Sequence, residues 1–229
     1  MLDLQGYGPS ILEGAVLTLR AALAGLLLSI LFGLLGALAK LSSSVPLRVL
    51  AGAYTTLIRG VPDLVLMLLV FFGGQMLVND LTARMGWEHV DVGPFAAGVL
   101  TLGFIYGAYM AETFRGAILA VPAGQLEAAR AFGMGPFLVL RRILLPQMLR
   151  HALPGVGNNW LVLLKATALL SVIGLDDMVR KAALAAGATR QPFTFYFAVA
   201  LVFLALTTVS TLLLAAAERW ARRGEARPA

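Results

Sequence analysis

The chain has 229 residues, 59% of them hydrophobic and only 13% charged, with a mean hydropathy of +0.85, whereas a soluble domain carries about 25% charged residues. Its apolar residues come in long runs rather than alternating patterns, which makes a bilayer the solvent to expect. The absence of cysteine excludes a disulfide framework, a thiol nucleophile and a cysteine metal site. The formal charge of +6 would point to nucleic acid in a soluble protein, but here it has to be read loop by loop.

The N-terminal stretch MLDLQGYGPS lacks a basic region and begins with an acidic residue, so no cleavable signal is evident. Five apolar segments follow, each near the about 20 residues that cross about 30 Å of hydrocarbon. The first is Ala21 to Ala39, closed by Lys40, with Arg20 placed to reach the opposite interface. The second, Leu64 to Val78, is short, and part of the preceding "TTLIRGVPD" is expected to extend it. The third is Val92 to Ala111, followed by Glu112 and Arg115. The fourth is Ala152 to Leu175, with Lys165 in its middle, and the fifth is Pro192 to Ala217.

Loop charge orients these segments. Lys40, Arg48, Arg59, Arg115, Arg130, Arg141, Arg142, Arg150, Arg219, Arg222, Arg223 and Arg227 fall on one side. Arg84, Arg180, Lys181 and Arg190 fall on the other, together with Asp80, Glu88, Asp91, Asp176 and Asp177. The reading is an all-α integral membrane protein of one domain, with five transmembrane helices, the N-terminus outside and the C-terminus cytoplasmic. Five spans cannot form two equal inverted halves, so a second chain is expected to complete any pathway.

The cytoplasmic segment between spans three and four, "LEAARAFGMGPFLVLRRILLPQML", is charged and interrupted by glycine and proline. "QLEAARAF" predicts a short helix ending at Gly133-Met134-Gly135. A second helix is predicted from Pro136 to about Leu145, stopping before Pro146, with Phe137, Leu140 and Leu144 on one face. On periodicity alone this hairpin could lie on acidic lipid.

The spacing is more specific. Glu127-Ala128-Ala129, Gly133, Ile143 and Leu145-Pro146 form EAA-x3-G-x9-I-x-LP with every specified position filled. This resembles the signature loop of permease subunits of ATP-binding-cassette (ABC) importers. Essentially the whole chain, through "YTTLIRGVPDLVLMLL", "LGFIYGAYMAETFRGAI" and "LPGVGNNWLVLLKATALLSVIGL", is similar to the polar amino acid permease family, and especially to its histidine and lysine/arginine/ornithine branch. The resemblance implies a permease subunit in a bacterial inner membrane that moves polar, chiefly basic, amino acids by alternating access. Glutamine or another polar amino acid is the alternative cargo. It implies a coupling helix that docks on a cytoplasmic ATPase dimer, with Glu127, Ala128, Ala129 and Gly133 at the contact. It also implies a second, homologous permease and a periplasmic amino acid-binding protein, besides surrounding membrane lipid. No GxxxxGK[ST] loop occurs, so ATP and Mg are expected on the ATPase, this chain binds no cofactor, and it is no enzyme.

A charge near the middle of a membrane helix costs about 2.5–3.5 kcal/mol on insertion scales and so asks for a partner or a task. Lys165 either lines the pathway, as a counter-charge for a substrate carboxylate, or pairs with Glu112 or Asp63. Glu112 could attract a cationic side chain, though an i,i+3 pair with Arg115 is the preferred reading. Asp63, after Pro62, reads as a helix-start carboxylate that is also a candidate for cation selectivity. Tyr106, Tyr109, Met67 and Met110 could shape a cavity or simply fill the core. Gly103 and Gly107 make a GxxxG that predicts close helix packing, and Asn158 and Asn159 are expected to bind neighbouring helices. Asp176-Asp177 reads as a solvated outer loop. An intramembrane hydrolase is disfavoured because the only histidines, His89 and His151, are expected in loops on opposite faces. A passive channel or membrane scaffold would leave the loop motif unexplained.

Overall fold

The computed structural model describes residues 4–221, so Asp3 and the tail arginines Arg222, Arg223 and Arg227 lie outside the described residues. Among the described residues the protein is built of helices. α1 (Gly8–Leu41) starts with a proline in its first turn and runs for 34 residues, about 50 Å at 1.5 Å per residue. It extends well beyond the predicted span Ala21–Ala39, so Glu13 and Arg20 ride on its overhanging N-terminal end. α2 (Val45–Gly60) and α3 (Asp63–Arg84) are separate helices. The expected extension of the second span into the preceding stretch is therefore corrected. Pro62 holds Val61 extended (φ −112°, ψ 140°) and ends α2 before α3 begins.

α1 and α4 (Pro94–Leu119) form the spine of the molecule. A Cβ on Gly25 would stand 3.2 Å from Leu102, and one on Gly36 would stand 2.9 Å from Ala111. On α4, a Cβ on Gly103 would stand 2.5 Å from Leu28, and one on Gly107 would stand 2.7 Å from Phe32. The contacts advance together along both helices, so α1 and α4 run parallel, and small residues bring their backbones close. The GxxxG at Gly103 and Gly107 thus packs against α1.

After α4 come α5 (Ala123–Ala131), α6 (Pro136–Val139) and a π-turn (Leu140–Leu144), which continues into α7 (Leu145–Ala166) and a 3₁₀ turn (Thr167–Ser171). The predicted stop before Pro146 is corrected. The π-turn pairs the Leu145 amide with the Leu140 carbonyl, five residues back. That wider turn, with Pro146 in the first turn of α7, lets the chain pass a residue that has no N–H to give. α8 (Met178–Thr189) and α9 (Pro192–Ala221) complete the chain.

Among the described residues, four helices are long and apolar enough to cross a membrane: α1, α3, α4 and α9. The expectation of five is corrected on this criterion: by length and composition the segment Ala152–Leu175 does not qualify. α7 carries Arg150, His151, Asn158, Asn159 and Lys165 and gives way to the 3₁₀ turn after Ala166. Hydropathy sums that segment as if lipid surrounded it, whereas it packs along α4 in the opposite direction. A Cβ on Gly155 would stand 2.6 Å from Thr113, and one on Gly98 would stand 2.6 Å from Leu170. Buried Asn159 donates to Thr113 Oγ1 (3.0 Å) and lies 3.5 Å from Met110 Sδ, the interhelical use expected of it, while Asn158 is exposed. His151 sits in α7 rather than in a loop.

At the other end of the bundle, α8 lies against the N-terminal part of α1. The Met178 amide donates to Thr18 Oγ1 (3.3 Å), and Lys181 Nζ meets Glu13 Oε2 at 2.9 Å. Asp177 is not a solvated loop residue: its side chain is fully buried and caps α8, accepting from the Arg180 amide at 2.9 Å. Asp176 beside it is exposed and pairs with Arg180.

Candidate functional site

Two groups of the candidate residues come together. The first is the loop formed by α5, α6 and the π-turn. α5 ends in a Schellman arrangement: the Gly133 amide donates to the Arg130 carbonyl (2.9 Å) and the Met134 amide to the Ala129 carbonyl (3.1 Å). Gly133 has φ +79°, a conformation that an L side chain adopts only under strain. Ala129 is buried, while Glu127 and Ala128 on α5 and Gly133 at the elbow after it are exposed. Phe132 and Phe137 flank the elbow at 89% and 71% exposure. Ile143 is half-buried in the π-turn, and exposed Leu145 and Pro146 open α7. The seven motif positions thus form one continuous unit: an exposed short helix, a glycine elbow, and a rigid continuation into a helix packed on α4.

The second group lies where the α2–α3 break meets α4. Tyr106 donates its hydroxyl to Asp63 Oδ2 at 2.9 Å and stacks on Tyr109, with ring centroids 5.6 Å apart. The Arg59 guanidinium sits 5.5 Å from the centre of the Tyr109 ring. Met67 is fully buried in the same apolar cluster as Tyr106 and supports the pair from within. Asp63 is also the acidic residue of the first turn of α3, as the sequence implies. No ion pair joins Arg59 and Asp63. The stacked pair thus has a cation at the Tyr109 ring and a carboxylate at the Tyr106 hydroxyl.

Glu112 lies apart from that cluster. Its Oε2 meets Arg115 Nε at 3.2 Å, the expected i,i+3 pair, and its Oε1 receives Lys40 Nζ in a second ion pair. Lys40 also donates to Thr55 Oγ1 at 2.7 Å, so a single ammonium ties α1, α2 and α4. Sequence reasoning counted Lys40 as a loop charge and did not find this pair, nor the place of Arg59. A basic and an acidic residue at two helix ends carry no signal of being neighbours. The pairing of Lys165 with Glu112 or Asp63 is corrected: among the described residues Lys165 makes no hydrogen bond or ion pair. It is exposed and faces a recess of about 460 Å³ that includes Phe203 and Thr207 of α9.

The chain matches the family described as "binding-protein-dependent transport system inner membrane component" over residues 19–223. It belongs to this family. Its relatives include the histidine/lysine/arginine/ornithine transport system permease protein HisQ of Salmonella typhimurium, 52% identical over 94% of this chain and 95% of the relative. The nopaline transport system permease protein NocQ of Agrobacterium fabrum is 47% identical over 96% and 94%. Among solved structures, an amino acid ABC transporter crystallised with histidines matches with a TM-score of 0.79 at 35% identity, covering 93% of this chain and 94% of that one. The methionine ABC transporter MetNI, at 18% identity and a TM-score of 0.75 over 94% and 98% of the two chains, shares the fold. The protein is thus a multi-pass, all-helical membrane permease, and the family description places its members in the inner membrane.

Proposed function

We propose that this chain is the membrane-spanning subunit of an ATP-driven importer that carries polar, chiefly basic, amino acids into a bacterial cytoplasm by alternating access. The observation that carries the reading is the exposed α5 and its Gly133 elbow, followed by α6 and a π-turn that run on unbroken into α7. Glu127, Ala128 and Phe132 are presented away from the bundle, while the π-turn at Ile143 and the start of α7 at Leu145 and Pro146 link them rigidly to α4. Such a unit passes rigid-body motion from a docked partner to the membrane helices. The partner is a cytoplasmic ATPase dimer that holds ATP and Mg; this chain binds no cofactor and does no chemistry. A second homologous permease completes the pathway, and a periplasmic amino acid-binding protein delivers the cargo. The N-terminus is outside and the C-terminus cytoplasmic. This orientation requires the Leu145–Ser171 segment to return the chain across the membrane sheltered by α4 and α9, although its composition alone does not qualify it as a span.

The substrate class is read from the relatives named for histidine, lysine, arginine and ornithine and from the second cluster. A free amino acid carries an ammonium and a carboxylate. Asp63 suits the first and Arg59 the second, across the face of Tyr109 and beside Tyr106. Met67 shapes this cluster from behind. Glu112, already held by Lys40 and Arg115, sets the helix arrangement, and Lys165 is a second candidate for a substrate carboxylate. Glutamine or another polar amino acid remains the alternative cargo, because the backbone-derived charges are the same.

The test is ATP hydrolysis by the reconstituted transporter in the presence of the binding protein loaded with histidine, arginine, lysine, ornithine or glutamine. Stimulation by the basic amino acids, and its loss in Gly133→Pro and Glu127→Lys with the subunits still assembled, is expected. Full stimulation in both variants would remove the coupling role; stimulation by glutamine alone would replace the substrate class.

A further inference from the structure

We infer that the groove between the start of α7 and the end of α9 is a binding site for an anionic phospholipid. The site lies at the end of the bundle that also carries α5 and α6. A recess of about 410 Å³ there is lined by Leu145, Pro146, Leu149 and Arg150 of α7 with Trp220 and Ala221 of α9. Arg150 is half-buried and makes no hydrogen bond or ion pair among the described residues. A sheltered guanidinium in this position suits a planar, doubly accepting anion such as a phosphodiester. Arg219, next to Trp220, donates only to the Ala215 carbonyl of its own helix and adds positive charge. Glu218 is the nearby carboxylate in the sequence and forms no ion pair with either arginine.

The lower half of the site is apolar. A second groove of about 220 Å³ shares Leu145 and Leu149 with the first and continues between Ile30 and Leu34 of α1, Phe114 of α4 and Val156 of α7. The groove runs alongside α4, because Gly155 lies against Thr113, six residues before the end of that helix. A cation and an exposed interfacial tryptophan at the rim, with a hydrocarbon-lined channel running inward from them, match a phospholipid's phosphate and acyl chain. Tryptophan belongs at the headgroup level, and basic recesses between membrane helices favour anionic headgroups. A protein helix would fill the apolar half but leave the Arg150 guanidinium without a counter-ion unless it brought a carboxylate to that point. The inference is independent of the cargo and of the coupling role.

The experiment is native mass spectrometry of the complete transporter equilibrated with dioleoylphosphatidylglycerol or dioleoylphosphatidylcholine. Phosphatidylglycerol should be retained preferentially. Arg150→Gln should lower its retention about fivefold, the value of one guanidinium at a membrane surface. Arg48→Gln, on α2 and bonded to the Ser42 carbonyl, should not. Leu149→Trp fills the channel and should also displace the lipid, which decides the matter if Arg150→Gln fails to assemble. Equal retention of the two lipids, unchanged retention in both groove variants, or an equal loss in Arg48→Gln would overturn the site. So would efficient disulfide capture of Leu149→Cys by a cysteine on another permease subunit in the assembled transporter, since the groove would then be a subunit interface.

Discussion

Replacing Asp177 with asparagine should stabilise the protein, and more so at neutral than at acidic pH. The Asp177 side chain is fully buried at the start of α8, where Oδ1 accepts from the Arg180 amide and Oδ2 has no hydrogen-bond partner among the described residues. Burial pushes its carboxyl up to about 6 from an ordinary value of 3.8, against the opposing pull of the amides that bond it. Because the folded value is the higher one, the folded state holds the proton more tightly than the unfolded chain between these two values. The penalty is therefore absent below the unfolded value, grows as pH rises, and is complete above about 6. With 1.36 kcal/mol per unit, it amounts to about 1–2 kcal/mol at pH 5 and about 3 kcal/mol at pH 7.5. Asparagine keeps the cap, being as good an N-cap as aspartate, and removes the charge. Thermal unfolding of the transporter in detergent, followed by tryptophan fluorescence, should show Asp177→Asn above the parent at both pH values. The gap should widen by about 3–6 °C from pH 5 to pH 7.5, at 2–4 °C per kcal/mol for a chain of this size. A gap that is constant with pH, or an asparagine variant that melts lower at pH 7.5, would refute the reasoning, since either would mean that the carboxylate is stabilised by its surroundings.

Two further substitutions test the spine. Gly107→Leu would place a Cβ 2.7 Å from Phe32 Cβ and 2.9 Å from the Tyr54 hydroxyl. It should cost about 1–3 kcal/mol by overpacking, and more if α1 and α4 separate; Gly52→Leu, which meets nothing within 4 Å, should leave the melting temperature near that of the parent. For the charges, a double-mutant cycle on Lys40→Met and Glu112→Gln should yield a coupling energy on the order of 1–2 kcal/mol, below that of a fully buried pair. The side chains are 17% and 23% exposed, and Arg115 remains to hold Glu112. Additive single effects would mean that Lys40 and Glu112 do not interact.

The elements were legible where one residue type dictates the backbone. Pro94 and Pro192 open helices at the starts of apolar runs, and Gly133 closes α5 because a left-handed turn is needed there. The same rule misled at Pro146, where a π-turn five residues long takes up what a proline would otherwise break; nothing local in "RRILLPQM" announces that wider turn. Hydropathy was a sound guide to α1, α3, α4 and α9, which are long and apolar enough to cross a membrane. It is a poor guide at α7, where Asn159 is buried and paired through a partner remote in the chain while Asn158 and Lys165 are exposed. Asn159 is satisfied by Thr113, 46 residues away, and that bond is invisible to any sum over neighbours.

The same separation in sequence governs the charged residues. Lys40 and Glu112 are 72 positions apart, and each taken alone reads as a helix-end charge facing solvent. They meet because α1 and α4 are parallel and in register from Gly25–Leu102 to Gly36–Ala111. The glycines that allow this approach therefore also decide which charges are neutralised within the subunit. Glu112 is one of these. Arg59, Asp63 and Lys165 are left without an ion-pair partner among the described residues, Arg59 and Asp63 about the tyrosines and Lys165 facing the recess at α9. Charges that the fold leaves unpaired in a membrane protein call for a counter-charge from a substrate or a neighbouring subunit, and their distribution separates structural charges from those available for recognition.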